Sequence, residues 1–181
     1  EDAKVAAVGC RIVGCGAGSS GKLVYGGALI RCYCDVSFPD ENNAIVLTDA
    51  IVDSVIGKAT VISAAVVLNS VLNDTVNGSS VYNSYAYYPF GTVHFYNSRV
   101  RRPVTDPSTK DETTIDSIEM KPVLDANYRP ARTDTLYCDT GSRELYDTYF
   151  PAKWIRFKGK DFAGGQRVYN AKIDIGAGEA D

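Results

Sequence analysis

The sequence predicts a mainly β fold, an antiparallel β-sandwich or jelly-roll-like barrel with one short α-helix. Three observations lead there. ALIRCYCDVSF (28–38) alternates like a strand, the second half reads as strand after strand between turn residues, and helix signals are confined to one short segment. A chain of 181 residues suits one domain with its own core. The whole of 1–181 is therefore expected to be a single β-rich domain, with a long polar loop around 99–114 and a flexible tail at 176–181.

In chain order, the first 22 residues are glycine-rich and mildly apolar. On the strand that follows, Ala28, Ile30, Cys32, Cys34, Val36 and Phe38 share one face. FPDENN then reads as a loop. TDAIVDSVIG (48–57) carries the helix signals: Thr48 as cap, Asp49 and Asp53 in the first turns, Gly57 at the end. The stretch 58–76 is compatible with strand or helix, and its β-branched residues favour strand. SVYNSYAYYPFGTVHFYNSRV (80–100) reads as a hairpin reversing at PFG. Two prolines mark the polar segment after it as a loop. KWIRFKG and QRVYNAKIDI read as two late strands, the second with Tyr169, Ala171, Ile173 and Ile175 on one face. The small acidic tail GAGEAD is expected to fray. No fixed-period repeat stands out.

Composition narrows the chemistry. Net charge is −3 and the one dense basic cluster is RVRRP (Arg99, Arg101, Arg102), so nucleic acid is not an expected partner. There is one histidine, which rules out a multi-histidine metal centre and leaves any histidine-dependent nucleophile to His94 alone. The sequence has no apolar run long enough for a membrane helix. The five cysteines are Cys10, Cys15, Cys32, Cys34 and Cys138. Their odd number and lack of zinc-knuckle spacing point to buried thiols or disulfides, not to a metal site. Asn73 and Asn77 each fit the glycosylation triplet.

GCGAGSSGKL is the sharpest motif. Gly16, Gly21 and Lys22 match a phosphate-binding loop, and Gly16, Gly18 and Gly21 a dinucleotide fingerprint. Leu23 stands where a magnesium-holding Ser or Thr belongs, and strand alternation follows instead of a helix. The dinucleotide pattern also lacks an acid at the right distance, since Asp35 comes too soon. The motif reads as a turn, and neither cofactor nor metal is expected.

These features favour a non-catalytic structural or assembly protein, most concretely a virus or phage particle component such as a capsid, decoration or tail protein. It is expected outside the cell or in a virion, with copies of itself or other structural subunits as partners rather than a small molecule. One alternative is a secreted β-sandwich module that binds carbohydrate or a host surface through Tyr82, Tyr85, Tyr87 and Tyr88. The other is a nucleotide-dependent enzyme using the loop at 16–22.

Overall fold

The structure is a computed structural model that describes residues 6–13, 22–35, 45–57, 59, 61–119, 121–168 and 171–180. Its strands follow one another as short turns of a coil. The first coil holds β1 (Ala6–Val8), β2 (Arg11–Val13) and β3 (Lys22–Tyr25). Next come β4 (Ala28–Ile30), β5 (Tyr33–Asp35) and β6 (Ile45–Val52), then β7 (Val55–Ile56) and β8 (Val61–Leu68). The later coils hold β9 (Val71–Asn77), β10 (Ser80–Tyr82), β11 (Tyr85–Phe90), β12 (His94–Tyr96), β13 (Arg99–Val100) and β14 (Thr109–Lys110).

Each strand pairs with its counterpart one coil later. Along one side the register runs Ala6, Ala28, Ala50, Val66, Ser80, His94, Thr109, so the coils shorten from 22 residues to 16, 14, 14 and 15. Along the second side it runs Arg11, Tyr33, Val55, Val71, Tyr85, Arg99. A third side stacks β3, the first halves of β6 and β8, and the far ends of β9 and β11. Every strand pairing is parallel, and the sheet curls around its own interior as a parallel solenoid. Two isolated antiparallel bridges, Leu124 with Pro130 and Lys160 with Gln166, lie outside the strands.

This overturns the antiparallel sandwich or jelly roll. The physical reason lies at the corner between the first two sides. Gly9, Arg31, Asp53, Asn69, Asn83 and Asn97 occupy it in successive coils, each at positive φ between 45° and 64°. Glycine adopts this left-handed conformation freely, and asparagine and aspartate tolerate it better than other residues. One such residue bends the chain without reversing it, so the next strand runs on around the coil.

The residue after each bend forms a second ladder. Cys32 N–H donates to Ser54 Oγ, Ser54 to Ser70, Ser70 to Ser84, Ser84 to Ser98 and Ser98 to Thr114 Oγ1, at 3.0–3.3 Å. Buried backbone N–H groups at a sharp corner are thereby satisfied by the coil below.

The bend also rearranges which side chains share a face. Leu29, Cys32 and Cys34 point into the solenoid interior with Ile51, Ile56, Val67, Leu72, Val81, Ala86 and Phe95. Ala28 and Ile30 instead face outwards into a second core. The single face expected over 28–38 is therefore split at Arg31, while Val36 and Phe38 lie outside the described residues. The helix expected at 48–56 is replaced by β6, the Asp53 bend and β7. The hairpin at 80–100 is two successive coils, β10 to β13. The stretch 58–76, open between strand and helix, contains strands β8 and β9.

Beyond the last coil the chain doubles back over the solenoid. It carries the one α-helix among the described residues, α1 (Arg143–Tyr149), capped by Ser142 Oγ accepting from Leu145 N–H at 3.2 Å. A 3-10 segment follows at Ala152–Phe157, where KWIRFKG was expected to be a strand. Tyr146, Phe150, Trp154 and Ile173 cover Ala28, Ile30, Ala50, Val52, Leu68 and Tyr82 on the first outer face. Ile118, Tyr137, Ile175 and Ala177 cover Val55, Val71 and Tyr85 on the second. The expected flexible tail is thus packed: residues 176–179 are buried, and a Cβ on Gly178 would meet Tyr128 O at 2.7 Å. The polar loop around 99–114 is also partly structural, as it supplies β13, β14 and the buried Ser108 and Thr114.

Candidate functional site

The bend residues project side chains along the outside of the corner, where the returning segment meets them. Asn97 Nδ2 donates to Asn83 Oδ1 at 2.9 Å and to Thr140 O at 3.0 Å. Asn83 receives Ser142 N–H on Oδ1 and donates from Nδ2 to Ser142 O, both at 2.8 Å. Lower on the ridge, Asn69 Nδ2 donates to Asp53 Oδ1 at 3.3 Å. Fully buried Arg167 completes the row from the returning segment.

Arg167 Nε lies 3.4 Å from Asp53 Oδ1 and 3.1 Å from Glu179 Oε1. These are ion-pair distances without aligned hydrogen bonds from Nε. Its Nη2 donates to the carbonyls of Asp174 and Gly176 at 2.8 and 2.7 Å. Asp161 accepts from the N–H groups of Gly165 and Glu179, and lies 3.8 Å from Arg129 Nε. Asp174 accepts from the N–H groups of Asp139 and Ala180, each at 2.6 Å. Burial pushes the Asp53 carboxyl up to about 7 against the attraction of Arg167. It pushes Glu179 up to about 8 in the same way, helped by Asp174 and Asp53. Burial likewise raises the Tyr146 hydroxyl, which donates nothing to the carboxylates but accepts from Gly159 N–H at 2.8 Å. A cleft of about 370 Å³ adjoins this cluster, lined by Arg129, Arg132, Asp161, Gly165, Gln166, Glu179 and Ala180.

Sequence reasoning missed this cluster because Asp53 and Arg167 were assigned to a helix and a late strand. The Asn-Ser and Asp-Ser pairs at 53, 69, 83 and 97 are the signal that would have found the ridge. The first three are flanked by apolar or aromatic residues, VDSVI, LNSVL and YNSYA, and the fourth, YNSRV, by Tyr96 and Arg99.

The tyrosines predicted to form one platform are dispersed. Tyr82 is buried and stacks on Tyr149 and Tyr96, with ring centroids 4.1 and 4.8 Å away. Tyr85 is buried edge-on against Tyr137 at 6.3 Å. Tyr87 has Arg101 and Arg102 over its ring at 5.3 and 5.8 Å. Tyr88, 44% exposed, stands two residues from Phe90, 57% exposed, on the third side.

Cys10, Cys32, Cys34 and Cys138 carry thiols, which corrects the expected disulfides, and Cys15 lies outside the described residues. Cys32 is buried and its thiol donates to Ala7 O at 3.2 Å. Cys138 lies with Asp139 and Asp174 in a group whose candidate ligand atoms are within 4.8 Å of one another. Asp174 there is occupied by backbone N–H groups, and Asp139 by Lys172 at 2.9 Å. Burial and both aspartates push the Cys138 thiol up to about 11.

His94 Nδ1 lies 2.8 Å from Thr109 Oγ1, its counterpart on the next coil. Lys22 opens strand β3, where a phosphate loop needs the start of a helix, and Gly16, Gly18 and Gly21 lie outside the described residues. No helix among the described residues is long and apolar enough to cross a membrane. No protein-family model matches the chain, and no match was found among curated proteins or solved structures.

Proposed function

We propose that this chain is a non-catalytic structural protein that self-associates through the third side of its solenoid. One observation carries the reading. The first two outer faces are covered by the chain's own returning segment, while the third presents Tyr88 and Phe90 to solvent beside Thr75 and Asn77 on the paired strand. Exposed aromatic side chains on a strand face suit packing against a second copy of the same face. The buried ion pairs between Arg167, Asp53 and Glu179 fit this reading too, because they hold the segment to the solenoid. Nothing in the structure supports the narrower expectation of a virus or phage particle component.

The test is light scattering coupled to size exclusion on the wild type and on Phe90→Asp. The wild type should form a defined oligomer, and the variant should shift to monomer with unchanged circular dichroism. A wild type that stays monomeric at high concentration contradicts self-association. A carbohydrate-binding surface is the second reading, favoured by Tyr88 and Phe90 facing solvent beside the amide of Asn77. Retention on a polysaccharide column that Phe90→Ala abolishes would identify that alternative.

A further inference from the structure

Arg167 touches two carboxylates through the same atom, Nε: Asp53 on the solenoid corner and Glu179 on the returning segment. Other buried charges nearby are already served. Asp161 has two backbone N–H groups and Arg129, and Asp174 has two backbone N–H groups. Among the described residues Glu179 has besides Arg167 only the Asp174 N–H, at 3.1 and 3.2 Å from its two oxygens. From the solenoid side Arg31 faces Asp53 from the neighbouring coil, and from α1 the Tyr146 hydroxyl does. Asp53 Oδ2 has no hydrogen-bond partner among the described residues. Two buried carboxylates beside one guanidinium leave an excess of negative charge in a desolvated site when both are ionised, and keeping a proton relieves it.

We propose that Asp53, Arg167 and Glu179 form a protonation-dependent latch, in which one proton shared by the two carboxyls keeps the returning segment docked and its loss in alkaline medium loosens that segment from the solenoid. The device joins two parts of the chain far apart in sequence. Loosening it uncovers the two outer faces that Tyr146, Trp154, Tyr137 and Ile175 now cover.

The direction follows from linkage. Both carboxyls are raised in the docked state relative to an exposed carboxyl near 4, to about 7 for Asp53 and about 8 for Glu179. Their contribution is fully present below the exposed value. It falls progressively as pH rises above the exposed value and is gone once pH has passed about 7 for Asp53 and about 8 for Glu179. For one coupled proton the docking equilibrium weakens at most about tenfold per pH unit across that window.

The single tryptophan, Trp154, is buried on the docked segment and reports its release. Urea titrations of the full chain, followed by Trp154 emission, are compared at pH 5 and pH 9. Wild type should lose at least about tenfold in the docking equilibrium at pH 9. Asp53→Asn and Glu179→Gln each remove one of the two buried carboxyls, so each should show a smaller difference in urea midpoint between pH 5 and pH 9 than the wild type. Equal wild-type midpoints at pH 5 and pH 9 overturn the latch, and so does a pH dependence as large as the wild type's in whichever variant folds.

Discussion

Asn83 combines both demands of the solenoid corner. Its φ of +46° bends the coil, while its buried amide bonds Ser142 twice and receives Asn97. Alanine lacks the amide and resists the left-handed conformation. Asn83→Ala should therefore cost about 2–4 kcal/mol in urea denaturation, from orphaned buried partners plus backbone strain. Asn83→Gly loses the same hydrogen bonds but accepts the bend, so it should be less damaging by about 1 kcal/mol. Equal losses in the two variants would show that the bend itself is unstrained. The residue type was legible in the sequence, since Asn-Ser recurs at 69, 83 and 97. Its meaning was not, because the same dipeptide also reads as the turn between antiparallel strands.

The elements divide into those made by the solenoid and those docked on it. Strand character was legible wherever β-branched and aromatic residues dominate, as in β8 and β9. The pairing direction was not, because alternation in one strand is the same for parallel and antiparallel partners. The failure at 48–56 has a specific cause. Ile51, Val52, Val55 and Ile56 fit a helical face by spacing, and the Asp53 bend mimics that spacing by shifting the strand's own alternation. On the docked side, Trp154 is 5% exposed in a cluster with Tyr146, Phe150 and the outer faces of β4, β6, β8 and β10. Trp154→Ala should destabilise the chain by about 3–5 kcal/mol. Followed by circular dichroism, its thermal transition should broaden as the returning segment loosens ahead of the coils. A loss below about 1 kcal/mol would place Trp154 outside the core.

At the scale of the whole molecule, the returning segment makes the solenoid two layers thick on two sides. Its packed end accounts for the failed expectation of a fraying tail: small residues there are required by close approach, as at Gly178, and not by looseness. The uneven coil lengths hid the repeat, because a search for one fixed period passes over spacings of 22, 16 and 14 residues. Parallel stacking is the claim on which the ridge, the latch and the exposed third side all depend. Its most direct test is nuclear Overhauser spectroscopy of backbone protons along the second side. Contacts should join Val71 to Tyr85 and Tyr85 to Arg99, with a constant difference between partner numbers. Contacts whose partner numbers keep a constant sum, as in a hairpin closing at Pro89 to Gly91, would contradict it.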